Sequence, residues 1–263
     1  MASAMAEAAL AAGPAVMEEY SKGAQARDKA DGSPVTAADE RAEAIIVAHL
    51  KALAPGIVIV AEEATAAGAQ LVAPQRFFLV DPLDGTREFI AGNGEFTINV
   101  GLIENGAPVA GAVYAPAIDR IWFGGRSARA ASVAVGATLP AACDLLKVRA
   151  APARLTALAS RSHADPATEA FLARLGVEER ISAGSSLKFC VIAEGRADLY
   201  PRFAPTMEWD TAAGDAVLRA AGGGVAGLEG ATLKYGKLAK GLRNAGFVGW
   251  GDPALERRVV NAL

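Results

Sequence analysis

Apolar positions near the start of the chain recur at helical spacing: Met5, Ala9, Ala12, Val16 and Tyr20 fall on one face. This predicts an amphipathic helix, kinked or broken near Pro14, whose ring cannot continue the intrahelical ladder. A second helix is predicted over "TAADERAEAIIVAHLKAL", with Thr36 as its N-cap. The pattern then shifts to short apolar runs. "GIVIV" reads as a buried strand ending at "AEE", and "FFLV" as a strand ending at "DPLDGT". "REFI" reads as a short helical turn. "FTINVGLIENGAPVAGAVYAP" alternates about a turn at "ENGAP" and predicts a hairpin, followed by a strand at "RIWFGG".

Residues 125–150 are small and alanine-rich, and read as extended segments joining two halves. Beyond them, strand and helix alternate. "LTALAS" is strand-like, "DPATEAFLARLG" helical, and "SSLKFCVIAEG" a capped helix ending at Gly195. "ADLYPRF" returns as a strand, and "WDTAAGDAVLRAAGGG" as a helix closed by glycines. The pattern predicts an α+β half over residues 1–135 and an α/β half over 136–263, fused into one unit without a long linker or an internal repeat.

Composition narrows the function. Apolar residues make up 52% of the 263 and charged residues 21%, enough for a sizeable core and unlike a disordered chain. A net charge of -3 without a basic block argues against a nucleic-acid polymer as partner. Cys143 and Cys190 stand outside any CxxC, as reduced thiols in a cytosolic protein do. His49 and His163 are the whole histidine complement, which argues against a histidine zinc site, so a bound metal would need oxygen ligands and would be magnesium or manganese. The N-terminus lacks the positive region of a signal peptide, and no run of about 18 uncharged apolar residues predicts a transmembrane segment.

The acids fall in a telling pattern. Glu62 and Glu63 end one predicted strand, Asp81 and Asp84 end the next, and Asp39 and Asp210 open helices. Strand ends and helix starts are where sheet-containing folds gather ligand groups. Pro82 fixes the "DPLDGT" turn and Gly85 permits tight backbone geometry, so Asp81, Asp84 and the Leu83 carbonyl can face one small volume. Without cations, clustered carboxylates repel one another and take up protons. Singly, "DPLDG" could be an Asx-capped turn, Asp210 an N-cap and "EE" a solvated pair. All four sites together point to metal ions. Helix starts after Gly85 and at Asp210 would add backbone N–H groups facing an anion. Two magnesium ions about 3.5–4 Å apart would clamp both oxygens of an in-line phosphoryl displacement.

The ordered set "SPVTAAD", "AEE", "DPLDGT" and "WDTAAGDAVLRAAGG" closely resembles the inositol monophosphatase superfamily of magnesium-dependent, lithium-sensitive phosphatases, from about residue 5 to the C-terminus. The resemblance implies a layered αβαβα sandwich and two to three magnesium ions, with manganese an alternative. It implies Glu62, Asp81, the Leu83 carbonyl, Asp84 and Asp210 as metal ligands, Glu62 also touching the nucleophilic water. Thr86 matches the hydroxyl that helps activate that water, and Asp39 the acid that orients Thr86 near a third, weaker metal. Gly85, Thr86 and Asp210 would also line the substrate.

"GSSLKFC", "AEGRADLYPRF" and "WDTAAG" are similar to the 3'(2'),5'-bisphosphate nucleotidases of the CysQ type, enzymes of sulfur metabolism. These take the 3'-phosphate from 3'-phosphoadenosine 5'-phosphate by attack of metal-activated water, giving AMP and phosphate without a phosphoenzyme. Inositol phosphatases typically carry an acid just after the residue matching Tyr200; here Pro201 and Arg202 follow. Lys188 or Arg202 would meet the 5'-phosphate, and Ser185 or His163 would lie near the nucleoside. The alternatives are an inositol or other sugar phosphate phosphatase of the superfamily, and an inactive metal- or nucleotide-binding regulator. Some relatives of this type sit at the inner face of a membrane; oligomeric state is not implied by any of these residues.

Overall fold

The first helix, α1 (Ala2–Lys22), runs unbroken through Pro14 in the computed structural model. The helix is not broken at Pro14, which is exposed; the ladder bond lost there is one that the Leu10 carbonyl would have accepted. The structure describes residues 1–23, 26–29, 32, 34–159 and 166–263. Met5, Ala9, Ala12 and Val16 are fully buried, as the spacing predicts. A short ribbon, β1 (Ala26–Asp28) with β2 (Pro34–Thr36), leads into α2 (Ala37–Leu53). Thr36 caps α2 in a reciprocal box with Asp39, two orphan donors satisfied at once.

A seven-stranded sheet follows: β3 (Val58–Ala61), β4 (Arg76–Asp84), β5 (Thr97–Glu104), β6 (Ala107–Ala115), β7 (Arg120–Gly124), β8 (Ala128–Ser132) and β9 (Asp144–Leu146), in that order. Short helices α3 (Glu62–Ala66) and α4 (Thr86–Ile90) leave the ends of β3 and β4. The β5–β6 hairpin turns at Asn105 and Gly106, both with positive φ, the conformation a two-residue hairpin loop requires. The segment expected to be a connector instead supplies β8 and β9, which lengthen the sheet.

The second half adds β10 (Thr156–Ala159), α5 (Pro166–Arg174), β11 (Glu179–Ser182), α6 (Leu187–Ala193) and β12 (Leu199–Arg202). After β13 (Thr206–Met207) come α7 (Trp209–Ala220), β14 (Gly224–Gly227), β15 (Arg243–Asn244), β16 (Phe247–Trp250) and α8 (Glu256–Ala262). A five-stranded sheet runs β11-β10-β12-β16-β14, and β13 pairs with β15.

Three apolar clusters define the layers. The first joins α1 and α2 to one face of the large sheet, through Phe78, Val80, Ile98 and Val100. The second joins the other face to α6 and α7, and these to the small sheet. The third packs α5 and α8 on the far side of the small sheet, through Phe171, Leu172 and Val259. The order is αβαβα, as expected.

The middle layer is unusually close. Gly101 on β5 pairs with Gly111 on β6, which pairs with Gly124 on β7, so the three form a row across the sheet. A Cβ on Gly101 would lie 2.8 Å from Cβ of Ala212, one on Gly111 2.4 Å from the Ala213 carbonyl oxygen, and one on Gly124 2.9 Å from Cα of Val217. Helix α7 therefore rests on sheet backbone, and its first turn, with Asp210, is set against the end of the large sheet. Among the described residues no helix is long and apolar enough to cross a membrane.

Candidate active site

The "DPLDGT" motif is the irregular end of β4 itself. Asp81 still pairs with Asn99 and Asp84 with Thr97, with a register shift between them. Gly85 follows at φ 94 and opens α4; a Cβ there would stand 3.1 Å from the Glu95 carbonyl oxygen, so the turn needs glycine for both conformation and space. Glu62 enters at the end of the parallel neighbour β3, and Asp210 in the first turn of α7. All four carboxylates line one cleft of about 670 Å³, together with Leu83, Gly85, Thr86, Ser185, Lys188 and Arg202. Sequence separation of up to 148 positions, from Glu62 to Asp210, is closed by the fold.

Their electrostatics are those of acids crowded out of water. Asp81 is buried. Burial foremost, then repulsion from Glu62, Asp84 and Asp210, raises its pKa well above the carboxylate range. Asp210 is raised by burial and then by Asp84 and Glu62. Glu62 is raised by burial, against the pull of Lys29.

Part of this charge is balanced from within. Lys29 Nζ donates to Glu62 Oε1 and to Glu63 Oε1, both at 2.7 Å, with only 10% of its side chain exposed. Burial works to lower the Lys29 pKa, but the two glutamates prevail and raise it. The sequence reading did not single out Lys29: a lysine in "ARDKADG" carries no signal that it folds back onto "AEE".

The hydroxyl and its support are in place. Thr86 Oγ1 lies 3.2 Å from the Leu83 carbonyl oxygen and 3.4 Å from Asp39 Oδ1. Asp39 Oδ2 meanwhile accepts from Thr36 N and Thr36 Oγ1, both at 2.7 Å. Burial raises the Asp39 pKa to about 6 despite the Thr36 bonds.

The second half closes the site. Ser185, held at φ 51, donates from Oγ to Asp84 Oδ2 at 2.7 Å, and Ser186 N donates to the same oxygen at 2.7 Å. Ser186 Oγ donates to the Asp210 carbonyl at 2.6 Å and accepts from Asn99 Nδ2 at 3.0 Å. Neither serine caps α6 with its side chain, contrary to the simple capping reading; Ser186 joins Asp84 of the first half to Asp210 of the second, and Ser185 holds Asp84 and Thr97. Lys188 is buried at the base of this turn, its Nζ donating to the Ser185 carbonyl at 3.2 Å and standing 5.1 Å from the Tyr200 ring centre. Arg202 lines the cleft with a buried Nε that has no partner among the described residues. His163 lies outside the described residues. Glu43, which the sequence reading passed over, accepts from Glu63 N and Ala64 N at the start of α3.

The donor set suits a hard divalent cation: carboxylates plus one carbonyl, gathered on one cleft, with Asp81 buried among acids that repel it. Among the described residues no three acidic groups stand close enough to cage an ion as they are. Lys29 holds Glu62 toward Glu63, so an ion entering here would have to take Glu62 from it.

The profile of the inositol monophosphatase family matches residues 1–252. The 3'(2'),5'-bisphosphate nucleotidase CysQ of Shigella flexneri is 46% identical over 229 residues, covering 85% of this chain and 89% of the relative. CysQ of Escherichia coli K12 is 45% identical over the same length. The crystal structure of CysQ from Bacteroides thetaiotaomicron, described as a bacterial member of the family, superposes with a TM-score of 0.77 at 39% identity, covering 94% of this chain and 96% of that one. The suhB protein of Bartonella henselae, at 23% identity and a TM-score of 0.76, shares the fold.

Proposed function

The chain belongs to the inositol monophosphatase family, and on that premise we propose that it is a 3'(2'),5'-bisphosphate nucleotidase. It takes the 3'-phosphate from 3'-phosphoadenosine 5'-phosphate and leaves AMP. The observation that carries this reading is the convergence of Glu62, Asp81, Asp84 and Asp210 on one cleft beside a hydroxyl, Thr86, held by Asp39.

Glu62, Asp81, Asp84, Asp210 and the Leu83 carbonyl would hold two to three magnesium ions, with manganese able to substitute. Bound there, the metal lowers the pKa of a nucleophilic water and offsets charge on the leaving 3'-oxygen. The side chains do the rest. Asp39 and the Leu83 carbonyl accept the hydrogen bond of the Thr86 hydroxyl, which leaves a Thr86 lone pair to accept a hydrogen bond from the attacking water. Glu62 accepts the water's other proton. The bond from water oxygen to phosphorus forms as the bond to the 3'-oxygen breaks, and the leaving 3'-oxygen takes up a proton from solvent to become the 3'-hydroxyl of AMP. Gly85 and Thr86 bring the backbone of the α4 turn against the phosphate. Arg202, its Nε buried and unpartnered, meets the second phosphate, while Lys188 holds the Ser185 turn beneath it. Ser185 lines the cleft and fixes Asp84.

Phosphate release measured on 3'-phosphoadenosine 5'-phosphate, 3'-AMP and inositol 1-phosphate, with and without magnesium, tests the reading. The bisphosphate should be preferred and magnesium required. Arg202→Ala should cost more on the bisphosphate than on 3'-AMP. Inactivity on the bisphosphate at millimolar magnesium would sink the assignment, and equal losses on both nucleotides would remove Arg202 from it.

A further inference from the structure

Helix α3 starts with an unusual cap. Its N-cap, Ala61, has only a methyl group and makes no side-chain cap bond, so the first N–H groups of the helix need an acceptor from elsewhere. That acceptor is Glu43, twenty positions back in the chain on α2. Glu43 Oε2 accepts from Glu63 N at 2.6 Å and Oε1 from Ala64 N at 2.8 Å, with the residue 8% exposed. Both carboxylate oxygens are used, and both bonds go to backbone immediately after Glu62.

For stability alone the arrangement is costly. It adds a buried carboxylate beside the half-buried Glu62 and Glu63, where a serine or aspartate at position 61 would cap the helix locally. What it adds is a rigid tie. Asp39 and Glu43 are one helical turn apart on α2 and share a face. Asp39 reaches Thr86, and Glu43 reaches the turn that carries Glu62. One helix thus sets the relative placement of the hydroxyl and the first carboxylate of the cleft.

We infer that Glu43 is a positioning residue: it fixes the backbone of Glu62 so that the Glu62 carboxylate meets a divalent ion. This rests on the metal-dependent reading above. Loss of such an outer support typically weakens metal binding 10–100-fold.

The test is manganese binding, followed by electron paramagnetic resonance, for the wild type, Glu43→Gln, Glu62→Gln and the double variant, with thermal melts of each in chelator. Glutamine keeps the shape of Glu43 but turns an NH2 toward one of the two amides. The expected result is binding about tenfold or more weaker in Glu43→Gln. In the double variant, binding should be no more than about twofold weaker than in Glu62→Gln alone, since Glu43 would act only through Glu62. Binding by Glu43→Gln within about twofold of wild type overturns the inference. So does a double variant that shows the full product of the two losses, which would mean general loosening of the fold. If Glu43→Gln shows no melting transition, Glu43→Asp, too short to reach both amides, is read against the same two criteria. Wild-type protein that binds no manganese, or a Glu62→Gln that binds like wild type, overturns the metal reading itself and this inference with it.

Discussion

Replacing Asp39 with asparagine separates what this acid does for chemistry from what it costs the fold. The carboxyl is buried, and its pKa in the folded protein is pushed up to about 6 from the 3.8 of an exposed aspartate. At roughly 1.36 kcal/mol per pKa unit, that difference corresponds to about 3 kcal/mol. The sign follows from linkage. A raised folded pKa means the folded state binds the proton more tightly, so this group's stabilising share is complete below about pH 4 and is lost as pH rises through about 6. Asparagine carries no charge and shows no such loss. The stability of Asp39→Asn relative to wild type should therefore rise by about 2.4 kcal/mol between about pH 4 and pH 7.5. Urea unfolding in chelator at a series of pH values measures this directly. The asparagine oxygen can still accept from Thr36, but its NH2 can no longer take the Thr86 hydroxyl proton, so kcat should fall on the order of 100-fold while the fold is kept. A stability difference that stays flat across pH would refute the argument that burial of a charge dominates at Asp39. Undiminished kcat would refute its hold on Thr86.

Lys29→Met should tighten manganese or magnesium binding several-fold by calorimetry, because the internal cation no longer competes for Glu62, and should lower the melting temperature of the chelated protein at neutral pH. Gly111→Ala should destabilise by about 3 kcal/mol or more in chemical denaturation, since the new methyl group meets the backbone of α7 at 2.4 Å. Its metal affinity should fall as well, because Asp210 rides on that helix. In chelator, the melting temperature of wild type should drop as pH rises above the ordinary carboxylate range, because Glu62, Asp81 and Asp210 all have raised folded pKa values; added magnesium should reverse that slope.

Much of the candidate site is readable in the chain because its acids sit at punctuation marks. Asp81 and Asp84 flank a proline and precede a glycine at the end of an apolar run, and Thr36 with Asp39 spells a capping box. These signals are local, and the structure places the residues as the local rules predict. What was not legible is non-local. Lys29 and Glu43 act on "AEE" from 33 and 20 positions away, and neither stretch differs in pattern from a solvated loop or an ordinary helix turn. The difference between Lys188 and Arg202 is equally hidden: both are cations near the end of an apolar segment, and only packing shows that Lys188 donates to the Ser185 carbonyl beside the Tyr200 ring while Arg202 keeps a buried Nε without a partner among the described residues. Pro14 does not end its helix, and sequence alone does not separate a proline that breaks a helix from one carried inside it.

The bare strip under α7 has a bearing on anyone who would move this chemistry to another scaffold. Copying the acids and the hydroxyl would not suffice. Three neighbouring strands must each surrender a side chain at the same level, or α7 and the fourth carboxylate are lifted off the sheet. The recipe for the centre therefore includes residues that have nothing to offer but their lack of bulk.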